Sequence, residues 1–484
     1  LMPDQIQSFK LICAGGLNSN ENHLDLSDNS PGAASRMLNF EPSLFGGYRR
    51  VEGFAEFDPD YGIVTVDGSV TGDGKVLGLA IFKDDVTGGT TIIAARKDAG
   101  AATYSFYYHT ANVGWRKYTL NHSASRSMTA NGLTVNRLRH VQFGGYTAGT
   151  SHDNGNGTAG GALALNAPAL VDVFENHLFL AGHAATGAAI AHSAPNDPYT
   201  WTSAAAAGQI AAGFDVVQIK PFRDNLFVFG NRNIKKITVN ASNAFALENV
   251  TTNIGCVAAD SVLEVGGDLM FLSPDGFRPV AGTSRVGDIE LETLSKPIQS
   301  TLVDLIKNED MDALIGVVIR SKSQVRYLVT TTIGGTVQSA SESVGIIGGL
   351  TNSSGSIEWE FGQLLGIRAS CCTSDYVGTE ELILHGDHDG RVFKSENGTS
   401  FNGANIISVY STPYLDFGET EQRKTLRKIN TFVRAEGPFE MNLAVDYDWG
   451  DYNTAVPITY TQASAGAPTT YAGRGVTYNG ANTV

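Results

Sequence analysis

Positive charge is scarce in this sequence: 34 Lys and Arg stand against 49 Asp and Glu, a net charge of −15 near neutral pH. A surface that grips duplex DNA needs a basic excess, so tight DNA binding is not expected, whereas a surface that DNA slides past is compatible. Cysteine is scarcer still. Cys13 and Cys256 are isolated, Cys371 and Cys372 are adjacent, and no CxxC pair exists. Neither a zinc site nor a disulfide framework is indicated, and the thiols read as reduced. No apolar run approaches the roughly 18 residues of a membrane helix. The first residues, "LMPDQIQSFKLICAGG", lack a basic start followed by an apolar stretch, so no secretory signal is expected there. Helical periodicity is nearly confined to "SKPIQSTLVDLIKNEDM" at 295–311. There Ser295 can cap, Pro297 lies in the first turn, and Ile298, Leu302, Leu305 and Ile306 share a face that would pack outside a sheet. GxSxG and HExxH are missing, the ten histidines are scattered, mostly beside turns, and no spacing sets two carboxylates across a cleft. No catalytic residues and no cofactor are therefore expected from local motifs. A site assembled from distant segments stays open.

What is present is glycine, with 55 residues, and a 42% hydrophobic content at only 17% charged. That balance suits many short strands joined by tight turns around a large core. One unit recurs, an apolar strand, a polar turn and a second apolar strand, at 78–96, 171–182, 216–231, 261–282, 315–331 and 381–395. Its turns carry Glu175-Asn176, Asp224-Asn225, Gly266-Gly267, Asp275-Gly276 and Asp389-Gly390 between β-branched or aromatic runs. The length alone suggests about three domains, but these turns recur at propeller-blade intervals, not at the roughly 8–12 residues of a sandwich. The chain reads as all-β: a propeller of about six irregular blades over 61–404, plus a small β platform. That platform is expected from an N-terminal segment, 1–60, and a C-terminal region, 405–484, whose final strand "TYNGANTV" lacks a returning partner, as a truncated end would.

Three stretches could carry chemistry. "HGDHDGRVFKSE" (385–396) sets Asp387, Asp389, Gly390 and Glu396 at calcium-loop positions 3, 5, 6 and 12, but His385 occupies position 1. Its flanks, "EELIL" and "RVFK", have strand character, so a hairpin turn is the expected reading and the metal site a weak candidate. Gly155, Gly157 and Gly160 spell GxGxxG in a polar inserted loop, without the strand and helix that a dinucleotide needs. The basic cluster Arg423, Lys424, Arg427 and Lys428 reads either as a solvated strand edge, with Glu419 and Glu421 as counter-charges, or as a docking face for an acidic partner. Arg49 and Arg50 form a second basic pair.

Several further segments resemble a family. "GGLN" (15–18), "DNSPGAASRMLNFEP" (28–42), "GGYRRVEGF" (46–54), "VDVFENHLFLAG", "HSAPNDPYTW" (192–201), "SPDGFRPVAG", "GDHDGRVFKSENGTSFNG" and "STPYLDFGETEQRKTLRKI" follow in order the pattern of short-tailed phage (podovirus) nozzle proteins, also called tail tubular or packaged-DNA stabilisation proteins. The resemblance implies a structural virion protein of the bacteriophage tail, assembled in the host cytoplasm. It implies a homo-oligomeric, hexameric ring below the portal and adaptor that retains packaged DNA and conducts it during ejection. Tail fibres are a further partner of larger members, whose long inter-blade insertions this chain lacks. Under that reading Arg49, Arg50, Arg423, Lys424, Arg427 and Lys428 are the candidate adaptor-docking residues. Two alternatives come from other classes: a lectin-like propeller that binds host surfaces, and a glycan-degrading virion enzyme. "SAPNDPYTW" loosely resembles the Asp-box turn of such enzymes, but with Pro198 where Gly is usual.

Overall fold

In a computed structural model, the described residues are 8–44, 46–61, 63, 74–84, 87–97, 104–111, 113–117, 137–144, 146–149, 168–183, 186–240, 244–280, 293–330, 332–333, 336–337, 343–353, 356–417, 424–433, 440–447 and 459–463. They divide into two compact units, one of residues 11–22 and 32–412, the other of 1–10, 23–31 and 413–484.

The larger unit is a six-bladed β-propeller. Blade one is Val76–Lys83, Thr90–Lys97, Tyr104–Thr110 and Gly114–Lys117; blade two is Leu170–Phe174, His177–Ala181, Ala189–His192 and Gly208–Ala211. Blade three is Val216–Phe222, Asn225–Gly230, Ile234–Val239 and Phe245–Thr251; blade four is Leu263–Val265, Asp268–Ser273 and Gly276–Pro279. Blade five opens with Ile315–Ile319, Gln324–Val329, Val344–Ser353 and Ser356–Leu365, and blade six with Cys371–Val377, Glu380–Gly386 and Val392–Ser395. Each of the six hairpins read in the sequence contributes to a different blade. Their turns follow the local chemistry: Glu175 and Asn176 both adopt positive φ, as do Gly266 and Gly267.

The N-terminal strands are built into this ring. Phe54–Glu56 pairs antiparallel with Val392–Ser395 in the register Phe54↔Ser395, so an early strand becomes the fourth of the last blade. Arg36–Leu38 joins blade five, between Ser356–Leu365 and Val409–Ser411. The partition therefore differs from the sequence reading: much of 1–60 pairs into blades, and only residues up to 10 and 23–31 group with the region beyond 412. Strands of three residues are too short to display alternation.

Hydrophobic clusters seal neighbouring blades. Val76, Tyr107 and Trp115 of blade one meet Cys371, Leu384 and Val392 of blade six. Blades two and three share Phe179, Ile190, Ile219 and Val228, and blades three and four share Phe229, Ile234, Leu269 and Phe271. Between blades four and five, Phe277 stacks on Tyr327 at 4.4 Å, above the helix residues Ile298 and Leu302. That helix is Gln299–Asn308, preceded by a single 3-10 turn, Lys296–Ile298. Ser295 makes no cap; its Oγ accepts the Phe277 amide at 2.9 Å instead. The hairpin His140–Phe143/Tyr146–Gly149 wedges between blades one and two, Leu138 packing on Leu77 and Phe143 on Val171 and Leu178.

In the smaller unit the described elements are the helix His23–Asn29 and the hairpin Glu440–Leu443/Tyr460–Ala463. Ser27 and Asp416 exchange hydrogen bonds at 3.2 Å. Among its described residues only Leu26, Ser27 and Pro413 are buried. The GxGxxG glycines, Arg423 and the terminal "TYNGANTV" lie outside the described residues. Among the described residues, no helix is long and apolar enough to cross a membrane.

Candidate functional site

The first strand of a blade lies innermost, beside the first strand of its neighbour, as blades six and one, five and six, and two and three show. Residues just before these strands therefore gather at one end of the propeller axis. Lys75 precedes blade one, Ala169 blade two, Asp260 blade four, Leu314 blade five, and Arg368 to Ser370 blade six.

Two arginines from the connection between blades one and two cross this mouth. Arg139 forms a fork on Asp260, Nε to Oδ1 at 2.8 Å and Nη2 to Oδ2 at 2.9 Å, and donates Nη1 to the Ala169 carbonyl at 2.9 Å. Arg137 also pairs with Asp260 and reaches the Leu314 and Ala313 carbonyls at 2.9 and 3.3 Å. A guanidinium offers five donors in a planar fork, so two arginines can tie the approaches to blades two, four and five around one carboxylate. The alternation in "RLRH" puts Arg137 and Arg139 on one side of an extended backbone, which is the signal available in the sequence.

The seam between blades six and one completes the mouth. Its turn, Asp387 to Gly390, closes the Glu380–Gly386/Val392–Ser395 hairpin, and Asp387 Oδ1 accepts the Asp389 and Arg391 amides at 2.9 and 2.7 Å. Gly390 has φ +85°, and a Cβ there would meet Arg96 Nε at 2.2 Å and the Gly74 carbonyl at 2.5 Å. Glycine is thus required by both conformation and space. Asp389 pairs with Arg368 at 3.0 Å. Burial raises the Asp387 carboxyl to about 6, with the Asp389 charge adding to the shift. Burial, then the neighbouring Arg137 charge, lowers the Lys75 ammonium to about 8. Burial lowers His388 to about 3, with Lys75 and Arg368 opposing its protonation further.

The calcium-loop spacing does not bring its acids together. Asp387 and Asp389 belong to the turn, whereas Glu396 turns into a separate buried ion network. Arg326 holds Glu41 through Nη2 at 2.8 Å and Glu396 through Nη1 at 2.5 Å, and Lys322 lies 2.7 Å from Glu41 and also contacts Glu396. His385, at loop position 1, is buried, bonded to Ser395 Oγ at 2.8 Å and stacked on Phe393. Among the described residues, no group of three or more His, Cys, Asp or Glu side chains is arranged to hold a metal ion.

The basic pairs fall in different units. Arg49 and Arg50 lie in the propeller unit, on the hairpin Phe40–Pro42/Tyr48–Arg50, where Arg49 pairs with Glu52 at 2.8 Å. Lys424, Arg427 and Lys428 lie in the smaller unit, in a stretch without helix or strand, 424–433, exposed throughout. The same stretch carries Leu426, Ile429, Val433 and Phe432, the last 96% exposed. In the Asp-box-like segment, Asp197 accepts Tyr199 N at 2.9 Å and Thr200 Oγ1 at 2.6 Å, so its carboxylate organises a turn.

The chain matches no family model and no curated protein. Among solved structures it is similar to the extracellular domain of a hybrid two-component system from B. thetaiotaomicron, at 11% identity and a TM-score of 0.34. That match covers 71% of this chain, which spans about 39% of the other's length.

Proposed function

We propose that this chain is a structural subunit of a short-tailed phage tail: a nozzle protein whose ring docks below the adaptor, retains packaged DNA and conducts it at ejection. A β-propeller fits a structural or surface-binding role. The colinear resemblance supplies the finer reading, and one observation carries the docking part of it, the exposed stretch 424–433. Four large apolar side chains stand exposed there beside three basic ones. Fully burying such side chains is worth roughly 1.5–3 kcal/mol each before ordering costs. The hairpin beside them in the sequence is two-stranded, a structure marginal in isolation. Both features suit a surface completed by a partner, and the adjacent cations suit an acidic one.

The test is extract complementation with Arg423, Lys424, Arg427 and Lys428 all reversed to Glu, folding being checked by circular dichroism. The expected result is a folded protein that fails to seal heads, which package DNA and then leak it. Heads sealed at wild-type efficiency would make the stretch a solvated edge. Rings in negative stain with no binding of host glycans are expected of the wild type. Glycan binding by a lone subunit would favour the lectin-like reading instead.

A further inference from the structure

At the seam of blades six and one the protein gathers the cations Lys75, Arg137 and Arg368, and among the described residues no acid touches the Lys75 ammonium. The Lys75 ammonium has no hydrogen bond or ion pair among the described residues, though it is largely withdrawn from water and close enough to Arg137 to feel its charge. The nearby acids are engaged. Asp260 is held by Arg137 and Arg139, Asp389 by Arg368, and Asp387 by two backbone amides. Asp310, which is exposed, accepts the Asp312 amide at 3.0 Å and acts on Lys75 through its field without contact.

A second observation is independent of charge. Arg137 Nε, Arg368 Nε and His388 Nε2 are all buried without a hydrogen-bond partner. Leaving such groups unmade costs about 1–3 kcal/mol each, so three in one region point to a ligand. His388 is electrostatically coupled to Lys75, Arg368 and Arg137 together, which puts the four in one neighbourhood. Its other nitrogen bonds the Ala369 backbone in the sense that favours the protonated ring, as donation to the carbonyl does. In the neutral ring, Nε2 is then left as an acceptor.

We propose that this axial mouth binds a phosphate-type oxyanion, with Lys75 as its counter-charge, the Nε–H groups of Arg137 and Arg368 donating to its oxygens, and His388 Nε2 accepting its O–H. The acceptor on His388 separates phosphate from sulfate. Both anions satisfy the cations, but only phosphate carries a hydroxyl near neutral pH.

The experiment uses the full chain in thermal melts at pH 7, with sodium phosphate, sulfate or chloride at matched ionic strength. Phosphate should raise the melting temperature saturably, sulfate less, and chloride not at all. Lys75→Met should abolish the rise, His388→Ala should bring phosphate down to sulfate, and Lys307→Met, on the exposed end of the helix, should keep it. A phosphate curve that superimposes on chloride, or a rise that survives Lys75→Met, overturns the proposal. Wild-type protein gives a second readout should Lys75→Met fail to fold. Phosphate should slow acylation of the Lys75 amine at pH 8 about tenfold by peptide mass spectrometry, leaving Lys307 unchanged, and equal rates at Lys75 with and without phosphate also overturn it.

Discussion

Replacing Arg326 by Met tests the stitching of the N-terminal hairpin to blades five and six. The Arg326 side chain is 4% exposed and joins Glu41, 3% exposed, to Glu396, 11% exposed. Without it, two carboxylates share Lys322 alone. Removing one partner of a buried ion network costs about 3–5 kcal/mol, because the partner left behind has lost both water and its counter-charge. Against a total stability of about 5–15 kcal/mol, that is a large fraction. Urea unfolding followed by fluorescence should show the midpoint falling with an unchanged slope. The loss should depend on pH, and the sign follows from Glu41. Burial already pushes its carboxyl above the usual carboxylate range, and losing Arg326 pushes it further. A group whose folded pKa is raised binds protons preferentially in the folded state, so the variant should weaken as pH rises through that pKa. Its deficit should be larger at pH 8 than at pH 5. Adding Glu41→Met to Arg326→Met leaves Lys322 paired with Glu396 and should restore at least half the loss. A single variant within about 1 kcal/mol of wild type, or a double variant losing the sum of the singles, would refute this reasoning.

Phe54→Ala removes a ring stacked on Phe401 at 5.2 Å and edge-on to His385 at 4.8 Å; it should cost about 3–5 kcal/mol. Hydrogen exchange should then speed up at Val392–Ser395 before other blades, and uniform acceleration would argue against local loosening. Asp387→Asn keeps the acceptor for two amides and removes a carboxyl held near 6, above its unfolded value. Wild type should therefore lose stability relative to the variant as pH rises from about 4 to about 6, by at most roughly 3 kcal/mol, and a flat difference would exclude this. Asp387→Ala with Asp389→Ala should cost about 1 kcal/mol through the turn alone. Millimolar calcium should leave the wild-type melt unmoved, and a marked rise absent from the double variant would restore the cation site.

The hairpins were legible because their information is local. Alternating runs around Glu175-Asn176 or Gly266-Gly267 specify strand, turn and facing residues within about twenty positions. The closure was not legible, since "GFAEF" shows no period of its own and Phe54 finds Ser395 only through the folded ring. Ser295 illustrates a tertiary override: it sits where a helix cap is expected, yet an unmet amide on Phe277 takes its hydroxyl. For the axial mouth, chemistry could be read residue by residue but convergence could not. Asp260 lies more than one hundred residues from both arginines that hold it. The near-match to a calcium loop was read as a hairpin turn from its strand-like flanks, and its spacing does not converge because spacing along a chain fixes side-chain direction only while one regular element continues.

The strand that closes blade six has a consequence for biosynthesis. Phe54–Glu56 emerges from the ribosome more than three hundred residues before its partner Val392–Ser395. At about 5–20 residues per second, the early strand waits roughly 15–60 s for its place. Blades one to five can form in order of synthesis, but the ring stays an open arc with two raw edges until residue 395 has been made. A chain halted before residue 392 has no seat for that strand. Completion of the circle thus acts as a check that synthesis has passed residue 395, leaving shorter products exposed to proteases.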